Sequence, residues 1–182
     1  LPHEGTDLAQ LKQMGGARFT LELTAFHHKN SVGEYLSETY GVPYERLPLP
    51  VGLRDTDAFL NTLSRISGKE IPDELKKERG RYLDAMIDSH KYHSSGRAAV
   101  FGEPDLVYST VRMMCECGVM PVVCAAGSAS PELDGLIRPE ISDLAGLYLV
   151  DEYKIADKAD FKDIEEMIVT YKANILAGSS DG

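Results

Sequence analysis

Apolar residues recur along this chain at two periods, and each change of period marks an element boundary. Phe19, Leu21 and Leu23 alternate with Thr20, Glu22 and Thr24, the period-two pattern of a half-buried strand. Ahead of it, Thr6 is placed to cap a short helix running to Met14, with Gly15-Gly16 as its stop. Beyond His27-His28-Lys29, Asn30 or Ser31 can cap a helix through Tyr40 that ends at Gly41, and Val42 to Leu47 reads as a second short strand. Residues 1–50 therefore predict an α-β-α-β segment belonging to a parallel-sheet layer. The period then lengthens. Phe59, Leu60, Leu63 and Ile66 lie at helical spacing behind Thr56, a candidate cap, and stop near Gly68. Pro72 suits the first turn of a longer helix reaching about Tyr92. Residues 51–96 hold no strand candidate and predict a helical connector.

From Arg97 strands and helices alternate. Ala98 to Phe101 is a compact apolar strand, and Gly102-Glu103-Pro104-Asp105 turns into a helix ending at Gly118. Pro121 to Ala126 is the next strand, followed by Gly127-Ser128-Ala129-Ser130 and a short helix from Pro131. Leu147 to Val150 reads as a third strand, Phe161 to Tyr171 as an amphipathic helix, and Asn174 to Ala177 as a fourth strand. The fold class predicted is α/β: a Rossmann-like parallel sheet flanked by helices over residues 97–182, preceded by the N-terminal α/β segment and the connector.

Composition narrows the functions open to such a fold. Hydrophobic residues make up 43% and charged residues 26% of 182 positions, which are globular values. Lys and Arg total 19 against 29 Asp and Glu, a formal charge of −10 that argues against nucleic acid or anionic lipid as a partner. No apolar run is long enough to cross a membrane. Three cysteines are too few and odd in number for a disulfide framework, which points to a reducing, cytoplasmic compartment. The chain opens at Leu1 without an initiator Met and stops in Ser179-Ser180-Asp181-Gly182, so a segment of a larger subunit is expected.

Little in the sequence carries chemistry outright. Small residues at the strand ends, Gly102-Glu103-Pro104, Gly127 to Ser130 and Gly178-Ser179-Ser180, would admit an anion near helix N-termini, yet none spells a dinucleotide or phosphate-loop motif. Cys115 and Cys117 lie two positions apart in a helix, about 200° of rotation, so their thiols diverge and share no metal. With Cys124 they read as small core residues, and His27, His28, His90 and His93 as surface groups. The sharpest feature is Asp84 and Asp88, spaced i, i+4 on one helix face, with Leu83, Met86 and Ile87 expected on the other. Two carboxylates there suit a hard divalent cation, or are neutralised by Arg81 and Lys91. A cation would need further ligands from a partner chain.

Several blocks along the chain carry a resemblance in order and spacing. They include Tyr40-Gly41-Val42-Pro43-Tyr44, Leu47 to Gly52 with Thr56 to Leu60, and Ile66-Ser67-Gly68-Lys69-Glu70-Ile71-Pro72. Glu78-Arg79-Gly80-Arg81 with Asp84 and Asp88-Ser89-His90, Phe101 to Asp105, and Gly178 to Gly182 complete the set. Together they resemble the nitrogenase component 1 family, in its molybdenum–iron protein beta-chain type. The resemblance implies a middle segment of a three-domain subunit in an α₂β₂ assembly that reduces dinitrogen with electrons from an iron protein. It further implies an iron–sulfur P-cluster and an iron–molybdenum cofactor in the parent, with none expected in this segment. Partners so implied are an alpha-type subunit, a second beta subunit and the iron protein.

The family's cofactor-bearing chain places a cysteine shortly before its Y-G-[IV]-P motif, and this chain has Ala25 near that place. The resemblance assigns no catalytic or cofactor-binding residue here. It implies that Asp84 and Asp88 contribute to a divalent-cation site at the beta–beta contact. Ser179 in place of Asn, and Cys124-Ala125-Ala126-Gly127 in place of C-[NH]-N-G, depart from the family pattern. They leave open a scaffold for cofactor assembly, an alternative-metal type or an unassigned paralogue; a rival of another class is a free-standing small-anion-binding α/β module.

Overall fold

Asp7 starts the first helix, α1 (Leu8–Lys12). Its carboxylate accepts from the Gln10 N–H at 2.7 Å while the Gln10 side chain accepts from the Asp7 N–H at 3.1 Å. Thr6, the expected cap, stands one residue too early for that exchange. A 3₁₀ turn over Met14–Gly16 follows. Strands β1 (Thr20–Leu23) and β2 (Tyr44–Leu47) pair in parallel, joined through α2 (Val32–Tyr40), as the residue pattern predicts. Ser31 caps α2 through its hydroxyl, and Gly41 ends it in the left-handed conformation at φ 71°. The computed structural model describes residues 6–178 and divides the chain into two units, Leu1–Pro48 and Leu49–Gly182.

One carboxylate organises the first unit. Glu22 on β1 accepts from the Gly33 N–H in the first turn of α2 at 2.5 Å and faces Arg46 on β2 at 3.5 Å. Burial alone would raise the Glu22 pKa, but the Gly33 N–H, the Ser31 hydroxyl and Arg46 together hold it below its usual range. Gly33 lacks a side chain because none fits: a Cβ there would lie 2.6 Å from the Tyr44 ring and 2.8 Å from the Glu22 carboxyl carbon.

The second unit begins with two helices, α3 (Leu53–Ser67) and α4 (Asp73–His93), so the helical connector clusters with the sheet that follows it. The start of α3 differs from expectation. Gly52 occupies the cap position at φ 81° and offers no side chain. The orphan Leu53 and Arg54 N–H groups instead donate to Glu116, at 2.7 and 3.1 Å, from 63 and 62 residues away. Thr56, the expected cap, turns its hydroxyl back to the Pro50 carbonyl at 3.1 Å.

Four parallel strands form the second sheet: β3 (Arg97–Gly102), β4 (Met120–Ala126), β5 (Lys154–Ala156) and β6 (Ile175–Ala177), in the order β5-β4-β3-β6. The central pair is buried on both faces; every residue of β4 and Ala98 to Phe101 of β3 are withdrawn from solvent. Helices α5 (Pro104–Glu116) and α6 (Leu133–Tyr148) cover one face, and α7 (Phe161–Thr170) returns over the other, the arrangement right-handed crossovers impose on this order. Leu147 to Val150 is not a strand. Leu133, Ile137, Ile141 and Ala145 repeat every four residues and are all buried, so α6 continues through Tyr148 and turns Leu147 outward. Leu149, 86% exposed, then ends the helix at φ 53°, and the third strand forms later, over Lys154–Ala156. No helix of the described residues is long and apolar enough to cross a membrane.

Gly33→Ala is expected to destabilise the first unit by about 1–3 kcal/mol, because the added methyl must displace the Tyr44 ring and the Glu22 carboxylate together. Urea unfolding followed by β1–β2 amide signals measures it, and an unchanged midpoint contradicts the contact.

Candidate functional site

Strand order decides where a ligand could lie. The chain leaves β3 toward β4 and β5, then crosses back to place β6 on the other side of β3. Connections diverge there, at the carboxyl ends of β3 and β6, which is where open α/β sheets form crevices. A crevice of about 610 Å³ lies at that edge, and Phe101, Leu106, Phe161 and Ile164 give it an apolar wall beside Gly102 and Gly127.

Its charged groups are acidic. Glu103 precedes Pro104 at the start of α5, and its carboxylate accepts from the Ser128 hydroxyl at 3.0 Å. Asp160 caps α7 and accepts from the Asp163 N–H at 2.9 Å, while Asp163 accepts from the Asp160 N–H at 3.2 Å. Asp157 accepts from the Ser130 N–H at 2.9 Å. The Ser130, Asp160 and Asp163 N–H groups at this edge are thus already paired with carboxylates of the chain itself. Their negative charge opposes an incoming anion, contrary to what the small residues of the loops suggest. Ser179 to Gly182, the rest of the last loop singled out in the sequence, lie outside the described residues.

Asp84 and Asp88 sit on α4, and both are exposed. The cations expected to neutralise them are engaged elsewhere: Arg81 pairs with Glu78 at 2.5 Å, and the Lys91 ammonium lies 4.9 Å from the Tyr92 ring centroid. Ile87 does not join Leu83 and Met86 on the packed side. It lies beside the two carboxylates, 73% exposed, in a solvent-facing stripe of Asp84, Ile87, Asp88 and Lys91. Among the described residues no three His, Cys, Asp or Glu side chains come together as a metal site. Asp84 and Asp88 are two exposed carboxylates one helical turn apart on α4.

The three thiols differ in burial. Cys124 is wholly buried in β4, and burial pushes its thiol far up. Burial raises Cys115 to about 12, with Glu140 and Glu116 adding to the rise and Arg54 opposing it. Cys117 ends α5, half-buried, with the Tyr82 hydroxyl 3.9 Å from its sulfur. His93 binds the Cys117 carbonyl through Nδ1 at 3.0 Å. His27, His28 and His90 are exposed and belong to no metal group among the described residues.

Sequence patterns did not reveal one constellation: a charge cluster where α3 meets α5 and α6. Arg112 pairs with Asp55 at 2.5 Å and with Glu140 at 3.3 Å; Arg54 pairs with Glu116 at 3.0 Å and with Glu140 at 2.7 Å. Arg112 also stacks over the Tyr108 ring, 5.4 Å from its centroid. Its members come from three helices up to 86 residues apart, so no local spacing signals them.

Comparison with known proteins agrees with this architecture along the whole chain. The profile of the family described as "Nitrogenase component 1 type Oxidoreductase" matches residues 1–182. Among curated proteins, the nitrogenase molybdenum-iron protein beta chain of Clostridium pasteurianum is 28% identical over 182 residues, which is 100% of this chain and 38% of that protein. The corresponding chain of Sinorhizobium fredii is 31% identical over 179 residues, covering 98% of this chain and 34% of that one. The nitrogenase iron-iron protein beta chain of Rhodobacter capsulatus is 30% identical over 183 residues, covering 99% and 38%. A solved structure described as "Nitrogenase Cp1 at pH 6.5" superposes with a TM-score of 0.81 at 27% identity, over 96% of this chain and 37% of that one. The chain thus spans little more than a third of the length of the relatives it matches.

Burial orders the thiols by reactivity. At pH 8 a thiol reagent is expected to modify Cys117 first and to leave Cys115 and Cys124 unmodified until the fold opens. Mass spectrometry of the partly labelled chain reads this directly; early labelling of Cys124 contradicts its placement.

Proposed function

The chain belongs to the nitrogenase component 1 type oxidoreductase family, and we propose that it is the middle portion of a beta-type subunit of a dinitrogen-reducing enzyme. Its parent works with an alpha-type subunit, a second beta subunit and an iron protein that delivers electrons. The match to beta chains over the full 182 residues carries this reading.

Within that parent, the segment's role is structural. An iron–sulfur cluster needs converging thiolates, and the three thiols here do not fit one: Cys124 is sealed in the sheet, and Cys115 and Cys117 diverge around the end of α5. Electron transfer and substrate reduction accordingly belong to other parts of the assembly. What this segment contributes is α/β scaffolding and the surface of α4.

That surface supports the second half of the proposal. The 21 residues of α4 include no buried side chain, and Ile87 and Tyr92 stand 73% and 71% exposed near Asp84 and Asp88. An apolar side chain flanked by two unneutralised carboxylates fits the contact between two beta subunits, with a hard divalent cation joining the carboxylates to ligands on the other subunit. In this reading Asp84 and Asp88 supply oxygen ligands and the partner completes the shell.

Two measurements test the parts separately. Ammonia formed by the parent assembly, with its iron protein and a reductant under dinitrogen but not argon, tests the activity; equal yields under both gases remove it. Calorimetric titration of the parent assembly with Ca²⁺ tests the site. Asp84→Ala is expected to abolish that heat, and full binding by the variant returns Asp84 to the role of a solvated surface charge.

A further inference from the structure

The cluster joining α3 to α5 and α6 holds three carboxylates, Asp55, Glu116 and Glu140, against two guanidiniums, Arg54 and Arg112. With every member ionised it carries one negative charge more than it neutralises. Only Arg54 is half-exposed; the other side chains are largely withdrawn from water. Asp55 is the deepest, 4% exposed. Its Oδ1 accepts from Arg112, and its Oδ2 is buried with no hydrogen-bond partner. A surplus charge is least tolerable on the member with an oxygen that neither water nor a donor reaches.

We propose that this cluster is a proton-controlled latch: protonation of Asp55 tightens the seat of α3 on α5 and α6, and losing that proton weakens it. The groups around Asp55 support the assignment from every side. Arg54 comes from its own helix; Tyr108, Arg112 and Glu116 come from α5; Glu140 comes from α6. Burial raises Asp55 above its ordinary 3.8, Arg112 and Arg54 pull it down, and Glu116 and Glu140 push it up, with a net rise. Protonation leaves two carboxylates facing two guanidiniums, a balanced set in which Glu116 stays ionised to receive the Leu53 and Arg54 N–H groups. Ionisation restores the unmatched charge at the point where α3 is held.

The sign follows from the direction of the shift. Because folding raises the Asp55 pKa, the stabilisation it contributes is fully present below 3.8 and is lost as pH rises through the folded-state value. The latch requires nothing of Asp84 and Asp88, so it stands or falls apart from the cation site.

Carbon-13 NMR of the Asp55 carboxyl in the full chain gives the direct test. Its resonance is expected to titrate above 3.8, and the Leu53 and Arg54 amide signals to move in the same titration. Urea unfolding across that interval should show the folding equilibrium constant falling by up to about tenfold per pH unit, the slope of one proton. Asp55→Asn, neutral at every pH, should remove that contribution. A carboxyl titrating at or below 3.8, amides that ignore it, or an equal slope in Asp55→Asn overturns the latch. Should the variant fail to fold, the titration of the unaltered chain decides.

Discussion

A parallel strand pair cannot be left half-wet, and that constraint shapes most of the second unit. β3 and β4 are apolar on both faces, so each face must be covered. Parallel pairing in turn demands a crossover between the strands, and the helix that provides it is also the cover. Alanines at 98, 99, 125 and 126 let those covers approach closely, and Val107, Val111, Ile137 and Ile141 fill the layer above. Reversal of direction after β5 sends α7 to the opposite face and opens the crevice beside β3. The crevice follows from how this sheet is covered, whatever ligand a relative might place there.

Where burial and local caps govern, the sequence is readable. The apolar runs at Ala98 to Phe101 and Pro121 to Ala126 are strands because nothing else can bury four to six consecutive apolar residues so economically in length. Ser31, Gly41 and Gly68 act where their chemistry predicts. Failures occur where partners are distant or patterns overlap. Leu147 to Val150 looks like a strand in isolation, but the four-residue stripe from Leu133 to Ala145 has already committed the chain to a helix. Thr56 is a good local cap that is not used, because Glu116 arrives across the fold with a charged one.

The candidate site divides along the same line. Asp84 and Asp88 are recognisable from their spacing and from the resemblance that assigns them a cation. Ile87 beside them departs from expectation, since a four-residue window cannot tell which face of a weakly amphipathic helix is packed. The acidic filling of the strand-end loops was visible as residues but not as pairing. Only the folded arrangement shows Glu103, Asp157 and Asp160 occupying the donors an anion would need. The charge cluster around Asp55 leaves no local trace at all.

Helix α5 holds two attachments at once. Its Val107 and Val111 press on the central strands, while Arg112 and Glu116 on the same helix grip the start of α3. The hold on α3 and the packing on β3 and β4 thus share one helix, and neither can shift without the other.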